Sequence, residues 1–454
     1  MKLSDKREPE QRKMVEQHNK TSIWHPYTKH SEADLGLPNI LRADGVYLYD
    51  AFGQRYFDAV SSWWACALGH GVTEIVDAIK RQTEILQHSI LGNLTHPEAE
   101  ELATELSDLT GGNKRVLFAS DGSSAIEAAL KIALQFWSNN GKSAKKQFLS
   151  FKNAYHGDTL GSISVGFLEE FHRHYGSVLK TAKAVNPPAC HKCPFNKRPE
   201  SCDTECFAEM LQAIETDADA IAAVVVEPLC QGSAGMNIYP AKYLKKLADT
   251  CASNEILLIV DEIAMGFWRT GKKFAYDHAA INPDIICVGK ALSGGYLPLS
   301  GTIVTNNIYE AFSDTSPDRS FYHGHTFAGN PIACAAALAA LKIYATDAFK
   351  NQVRLNSEIM ATRLEQLSRN PKVKFTRNLG MIAAWNMANP AGLTGLISPA
   401  QRVRVALFER GVLVRPLGDV LYLMPPLNSP ASVLEETFDK LEEVLKVNGV
   451  CPKS

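Results

Sequence analysis

Short, almost wholly apolar runs alternate along much of the chain with longer segments whose apolar residues recur at helical spacing. The short runs predict strands buried on both faces, at 115–118, 147–151, 222–226, 256–260, 285–288 and 301–304. Helices are predicted at 124–137 and 331–344. Because strands that alternate with helices usually form a parallel sheet with crossover helices, the pattern predicts an α/β fold with a mostly parallel sheet.

The pattern changes near residue 335, where charged helices and a few short strands begin. These helices are predicted at 351–368, 399–409 and 431–446, with strands near 381–385 and 420–424. A chain of 454 residues also exceeds what one hydrophobic core usually supports. We therefore predict a large domain at 61–335, a smaller α+β domain at 336–454, and an N-terminal segment, 1–60, that packs with the smaller domain.

Composition and charge narrow the class of protein. The chain is 45% hydrophobic and 21% charged, with a formal net charge of -2. A nucleic-acid or membrane-surface partner would need a concentrated basic patch, which this balance argues against. Residues 1–20 are polar, and the longest apolar runs are too short to cross a bilayer. We expect a soluble, cytoplasmic enzyme that acts on small molecules.

Four of the ten cysteines form a cluster with the spacing of a metal site. Cys190 and Cys193 are separated by two residues, and Cys202 and Cys206 follow after eight more. A structural zinc, reduced thiols and a disulfide all agree with this spacing, and the sequence leaves these alternatives open. We assign no metal to the catalytic site.

Two strand ends carry residues whose chemistry fits together. Asp261 follows the predicted strand 256–260, at the edge of the sheet where ligands bind in open α/β folds. A solvated turn is the commoner explanation of a lone aspartate, but Lys290 ends the strand 285–288 in the same way. Lysine is rarely buried without a function, and desolvation makes its neutral amine available for a Schiff base. An aspartate that holds a pyridine nitrogen protonated and a lysine that binds an aldehyde are what pyridoxal phosphate requires.

A phosphate site is predicted where a strand leads into the helix at 124–137. Gly122 permits close approach of the backbone, Ser123 offers a hydroxyl, and a helix N-terminus favours an anion, although an ordinary helix cap has similar residues. Tyr155, after another strand, could stack on the cofactor ring. Glu227 is a third acidic residue at a strand end.

These motifs together resemble the class III aminotransferases of pyridoxal-phosphate fold type I. The resemblance rests on Asp261-Glu-Ile-Ala-Met-Gly-Phe-Trp-Arg-Thr-Gly271, on the Lys290 strand and on Tyr322-His-Gly-His-Thr326, and runs from about Trp24 to Pro426. It implies a large domain with a seven-stranded sheet and a homodimer with shared active sites. It also implies that Gly324, His325 and Thr326 lie at the phosphate of the neighbouring subunit.

Four further motifs resemble the branch of this family that aminates 8-amino-7-oxononanoate in biotin synthesis, with S-adenosyl-L-methionine as donor. They are Trp24-His-Pro-Tyr27-Thr, Ser61-Ser-Trp63-Trp64, Ala154-Tyr155-His-Gly-Asp158-Thr and Arg415-Pro-Leu-Gly. The resemblance implies two half-reactions through pyridoxamine phosphate, an aromatic substrate pocket, and Arg415 as the anchor of the distal carboxylate.

The candidate residues then fall into three overlapping groups. Catalytic roles are expected for Lys290, Asp261 and Tyr155. Cofactor contacts are expected from Gly122, Ser123, Tyr155, Glu227, Asp261, Ile263, Lys290, His325 and Thr326. Substrate contacts are expected from Tyr27, Trp63, Trp64, Tyr155, Lys290, Gly324, Arg415, Tyr422 and Arg269.

Three residues depart from the usual pattern of the family, namely Met265, Trp268 and His325. We expect the bulky Trp268 to narrow the substrate entrance, which bears on the identity of the donor.

Alternatives within the class are a lysine-donor relative and an ω-amino-acid:pyruvate aminotransferase, and a non-catalytic alternative is a regulatory dimer that binds pyridoxal phosphate. A nicotinamide-dependent oxidoreductase would need a Gly-x-Gly-x-x-Gly turn after a strand, and the sequence has none after any predicted strand.

Overall fold

A computed structural model of the chain describes residues 22–28, 30, 37–313, 316–388 and 398–446. Its strands are β1 Ile40–Asp44, β2 Tyr47–Asp50, β3 Arg55–Asp58, β4 Lys114–Ala119, β5 Gln147–Phe151, β6 Lys183–Val185, β7 Ile221–Val226, β8 Cys230–Gln231, β9 Asn237–Ile238, β10 Leu257–Asp261, β11 Ile285–Val288, β12 Ser300–Thr305, β13 Val373–Leu379, β14 Ile382–Met387, β15 Val412–Leu413 and β16 Val420–Leu423. The α-helices are α1 Thr73–Ile85, α2 Pro97–Leu109, α3 Gly122–Asn139, α4 Leu160–Val165, α5 Glu169–His172, α6 Ala208–Asp217, α7 Ala241–Ser253, α8 Asn306–Glu310, α9 Pro331–Ala345, α10 Asp347–Leu367, α11 Pro399–Phe408 and α12 Ala431–Lys446.

A seven-stranded sheet forms the centre of the molecule, in the order β4-β12-β11-β10-β7-β5-β6. All neighbouring pairs are parallel except those of β12, which runs antiparallel to β4 and β11. Every residue of β7, β10 and β11 is buried, as the apolar runs predicted. The predicted α/β fold with a mostly parallel sheet is confirmed, and the carboxyl ends of β7, β10 and β11 meet at one edge.

Helices cover the sheet and are capped by the residues that the sequence places at their ends. The side chain of Asp121 accepts a hydrogen bond from the backbone N–H of Ser124 at the start of α3, and Asn330 accepts from two N–H groups at the start of α9. Helix α3 packs on β4, β11 and β12, and α9 packs on α1 and α2. The caps therefore fix where α3 begins, directly beside the edge formed by the strand ends.

The remaining elements form two smaller sheets. Strands β13, β14 and β16 form an antiparallel sheet that is covered by helices, and β1, β2 and β3 form a sheet with β15 from the C-terminal part. The parallel pairing of β3 with β15 joins the N-terminal strands to that part, while the domain boundaries given above stay a prediction. No single described helix is long and apolar enough to cross a membrane. Helices α9 and α10 taken together would be long and apolar enough, but they meet at an angle of 71°.

Candidate active site

Asp261 lies at the carboxyl end of β10 and is 5% exposed. Its Oδ1 accepts a hydrogen bond from the backbone N–H of Ile263 at 3.0 Å, and its Oδ2 lies 2.7 Å from Nδ1 of the buried His156. Burial opposes the charge on His156, but its hydrogen bond with Asp261 prevails and the pKa of His156 is raised. The imidazole therefore fixes the orientation of the carboxylate.

Glu227 occupies the corresponding position after β7. Its carboxyl group accepts hydrogen bonds from the backbone N–H groups of Tyr155 and Gly232, at 3.1 and 2.9 Å. Burial raises the pKa of Glu227 to about 7, although the nearby His156 lowers it. Glu227 therefore ties the loop that carries Tyr155 to the strand end beside Asp261.

Lys290 follows β11 and is partly buried, with a positive φ of 43°. Its Nζ lies 5.5 Å from the centre of the Trp64 ring and makes no hydrogen bond or ion pair with any residue that the structure describes. Burial lowers the pKa of Lys290, and the charges on Asp261 and Glu227 oppose this shift. An amine held in this way is available for a covalent partner.

The predicted phosphate loop lies against the strand that carries Asp261. A Cβ at Gly122 would lie 3.0 Å from the Ile263 side chain, a tight contact that glycine avoids. Ser123 Oγ accepts a hydrogen bond from the backbone N–H of Asp158 at 3.0 Å. The first N–H groups of α3, on Gly122 and Ser123, point outward from the helix start without a partner in the described residues.

Two tyrosines meet at one carboxylate on the substrate side. The hydroxyl groups of Tyr155 and Tyr27 donate to Asp158, at 2.8 and 2.5 Å. Burial raises the pKa of Tyr27 to about 12, so its hydroxyl stays protonated. Asp158, which belongs to one of the sequence motifs but was not among the predicted site residues, joins the segment that carries Tyr27 to the loop that carries Tyr155.

The pair Trp63 and Trp64 divides between the pocket and the core. Trp63 is 40% exposed, and the Arg415 guanidinium lies 4.4 Å from the centre of its ring. Trp64 is buried and donates from Nε1 to the Tyr422 hydroxyl at 3.1 Å. The structure thus brings the predicted residues Trp63, Trp64, Arg415 and Tyr422 together beside Lys290.

Arg269 is buried close to the turn that carries Trp63 and Trp64. It is 2% exposed, and its NH1 donates to the backbone carbonyl of Pro425 at 2.6 Å. Burial lowers its pKa to about 9. The guanidinium ties the turn after β10 to the chain after β16 and also approaches the Ser61 hydroxyl, while its role in donor recognition stays a prediction.

Trp268 and Met265 pack against the core, and the effect of Trp268 on the substrate entrance stays a prediction. The Trp268 ring packs against the rings of Tyr344 in α9 and Phe349 in α10, at centroid distances of 6.1 and 6.0 Å. Met265 is fully buried, and a Cβ at Gly232 would lie 3.3 Å from its methyl group. The two departures from the family pattern thus fill the core beneath the site.

The loop with Gly324, His325 and Thr326 lies apart from these contacts. Gly324 and Thr326 are exposed, and the His325 ring contacts His323 at a centroid distance of 5.1 Å. Within the described part of the chain, no hydrogen bond or ring contact joins this loop to Asp261 or Lys290. This placement leaves the loop available to another subunit.

The cysteine cluster lies away from the strand ends. Cys190, Cys193, Cys202 and Cys206 line one cavity of about 20 Å³, and all four thiols are free. Among the described residues, no group of three or more His, Cys, Asp or Glu side chains is arranged to hold a metal ion.

The arrangement fits pyridoxal phosphate. Asp261 presents a carboxylate whose two hydrogen bonds leave lone pairs for a ring nitrogen, and Lys290 has an unpartnered amine within the described part of the chain. Gly122 and Ser123 offer N–H groups at a helix start, where an anion is stabilised. His156 was missed as a site residue, although its position directly after Tyr155 was the available signal.

Comparisons with known proteins agree with this site. Residues 28–445 match the family described as aminotransferase class-III. The adenosylmethionine-8-amino-7-oxononanoate aminotransferase of Geobacter sulfurreducens is 37% identical over 93% of this chain and 95% of its own length. The crystal structure of that enzyme from Methanocaldococcus jannaschii is 34% identical with a TM-score of 0.88, covering 96% of this chain and 99% of its own. An amine transaminase from an uncultivated Pseudomonas species, in its PLP-bound form, is 31% identical with a TM-score of 0.87, covering 93% and 98%.

Proposed function

Since the chain belongs to the class III aminotransferase family, we propose that it transfers an amino group to 8-amino-7-oxononanoate, with S-adenosyl-L-methionine as donor and 7,8-diaminononanoate as product. The observation that carries the proposal is the amine of Lys290, after β11, within the field of Asp261 at the end of the paired strand β10, in a chain 37% identical to an enzyme of that name. Similarity in fold alone does not separate this activity from that of amine transaminases, whose TM-scores are equally high. The sequence identity to the biotin enzyme and the residues of the pocket favour the first.

The residues at the strand ends divide the work on the cofactor, pyridoxal phosphate. The bound cofactor supplies an aldehyde that exchanges amines and a ring that takes up the electron pair left when a proton is removed. Asp261 holds the proton on the ring nitrogen, and Lys290 moves a proton to and from the substrate carbon through its Nζ. The N–H groups of Gly122 and Ser123 would hold the phosphate, and Tyr155 would offer its ring to the cofactor.

The aromatic residues bind the substrates. Tyr27, Trp63 and Tyr155 offer apolar surface to the aliphatic chain of the keto acid, and their hydroxyl or ring nitrogen groups offer polar contacts. Arg415 pairs with the distal carboxylate, which a guanidinium binds through two parallel hydrogen bonds. Trp64 and Tyr422, joined by a hydrogen bond, form the wall nearest Lys290.

The active enzyme is proposed to be a cytoplasmic homodimer. Within the described part of its own chain, the loop with Thr326 makes no hydrogen bond or ring contact with Lys290, and the neighbouring Tyr322 and Phe327 are 84% and 64% exposed. Large aromatic side chains at such exposure are typical of an interface. In the dimer, Gly324, His325 and Thr326 would complete the phosphate site of the other subunit.

The test is an assay for 7,8-diaminononanoate with purified enzyme and pyridoxal phosphate. S-adenosylmethionine, lysine and an ω-amino acid are compared as donors, and loss of the visible absorbance of the bound cofactor reports the first half-reaction. We expect product and loss of absorbance with S-adenosylmethionine. Product with lysine only would assign the lysine-donor activity, and free amination of pyruvate without product would reject the biotin assignment.

A further inference from the structure

Four consecutive residues of the substrate pocket have a left-handed backbone. Ser61, Ser62, Trp63 and Trp64 have φ values of 48°, 45°, 69° and 72°. At Ser62 and Trp63 the ψ values are 57° and 43°, which completes the left-handed conformation. None of the four is glycine, asparagine or aspartate, the residues that adopt this conformation at low cost. Backbone hydrogen bonds from the N–H of Trp64 to Val60 and from the N–H of Ala65 to Ser61 close the turn, and side-chain contacts must offset the remaining cost of its handedness.

Asp58 supplies those contacts from the end of β3. It is fully buried, and its Oδ1 and Oδ2 accept hydrogen bonds from the backbone N–H and the hydroxyl of Ser62, at 2.9 and 2.7 Å. His70 Nε2 lies 3.0 Å from the same Oδ2. A buried carboxylate that accepts two hydrogen bonds from Ser62, and is itself held by His70, fixes the direction in which the segment turns.

The turn decides where the two tryptophans point. Trp63 extends into the pocket beneath the Arg415 guanidinium, while Trp64 lies under Lys290 and donates to Tyr422. In a right-handed turn, successive side chains would leave the backbone in other directions, so these two contacts could not both form. The chain just after the turn is held as well, since a Cβ at Gly295 would lie 2.8 Å from the backbone of residues 65 and 66.

We propose that Asp58 is a positioning residue that holds Ser61–Trp64 in a left-handed turn, and that this turn sets the size and shape of the substrate pocket. That the pocket receives S-adenosylmethionine and the keto acid rests on the proposed function. The turn itself does not, because it follows from the backbone and the Asp58 contacts. Asp58 touches neither cofactor nor substrate and acts through Trp63 and Trp64.

The test compares Asp58→Ala with Asp50→Ala. Asp50 is a matched control because its carboxylate also accepts from two backbone N–H groups and a hydroxyl, those of Phe52, Gln54 and Tyr56, in a hairpin turn. We expect Asp58→Ala to raise KM for the best substrates of the wild type by about 10- to 100-fold, with a smaller change in kcat. Asp50→Ala should lower the melting temperature while leaving KM unchanged.

A readout that does not depend on activity is the near-ultraviolet circular dichroism of the tryptophans. Asp58→Ala should lose the signal that Trp63→Phe also loses, and Asp50→Ala should keep it. The proposal is overturned if Asp58→Ala folds with the wild-type spectrum and the wild-type KM. If Asp58→Ala does not fold, Asp58→Asn and Ser62→Ala, which each remove only part of the contacts, are measured in the same way.

Glycine provides a rescue that a merely structural carboxylate would not show. Glycine adopts the left-handed conformation without the Cβ penalty that the serine carries. Ser62→Gly added to Asp58→Asn should therefore lower KM by about fivefold relative to Asp58→Asn alone. No recovery would show that Asp58 acts by a route other than the handedness of the turn, and would overturn the proposal.

A wild type that makes no diaminononanoate would overturn the proposed function alone, because KM is then measured with the amines that it does accept.

Discussion

The cofactor side and the substrate side of the site are built in different ways. Glu227, Asp261 and Lys290 stand at the ends of three neighbouring strands of one buried sheet. The substrate side is assembled from segments far apart in the sequence, and Tyr27 and Asp158 meet across 131 residues while Trp64 and Tyr422 meet across 358. The rigid part thus carries the chemistry that all substrates share, and the assembled part carries the selection among them.

If this division holds, removing the covalent residue should have the largest effect of any single change. Lys290→Ala should reduce kcat by at least about 10⁴-fold, the upper end of what a single proton-transferring group contributes. Borohydride followed by mass spectrometry should no longer attach the cofactor to the chain. A matched control is Lys114→Ala, since Lys114 is a buried lysine hydrogen-bonded to Asn282 away from the site. Cofactor trapped in Lys290→Ala as in the wild type would contradict the division.

Changing the ring partner should cost less than losing the lysine. Asp261→Asn keeps the shape but removes the charge, so we expect kcat to fall by about 10²- to 10³-fold with KM little changed. Glu262→Gln is the control at the next residue: burial raises the pKa of Glu262 to about 8, so the neutral form already prevails at neutral pH. Equal losses of kcat in Asp261→Asn and Glu262→Gln would contradict a specific role of Asp261 at the ring nitrogen.

A change on the substrate side should act on KM. Arg415→Ala removes a charge-assisted pair, and we expect KM for the keto acid to rise by about 10- to 100-fold while cofactor absorbance stays that of the wild type. Arg410→Ala, which removes a hydrogen bond to the carbonyl of Ala406, serves as control. A lower kcat with unchanged KM in Arg415→Ala would show that Arg415 acts on the cofactor chemistry and not on substrate binding.

The smallest expected effect is a dependence of stability on pH. Burial raises the pKa of Glu227 to about 7, from an ordinary value of 4.5. The contribution of neutral Glu227 to the free energy of unfolding is therefore fully present below about pH 4.5. It is lost as the pH rises through about 7. Urea unfolding of the apoprotein should show stability that falls from about pH 5 to about pH 8, and a smaller fall in Glu227→Gln. If the stability of the wild type and of Glu227→Gln changed equally with pH, Glu227 would be ionised over the whole range from about pH 5 to about pH 8.

The sequence predicted the cofactor side better than the substrate side, for physical reasons. Apolar runs mark buried strands, and the residue directly after such a strand must lie at a sheet edge, so Asp261 and Lys290 could be read directly. Strand β6 was missed because it has only three residues, and β13 because its residues alternate between polar and apolar beside a long helix. The left-handed turn has no signal, since its serines and tryptophans favour other conformations. Which carboxylate accepts from which tyrosine depends on contacts between distant segments.

The close approach of Gly122 to Ile263 bears on which molecules the site can hold. It places the loop proposed for the phosphate next to the chain that follows Asp261, so the proposed partners of the two ends of the cofactor lie on neighbouring segments. A molecule without a phosphate would leave the N–H groups of Gly122 and Ser123 without a partner among the described residues. We therefore expect free pyridoxal to bind more weakly than pyridoxal phosphate.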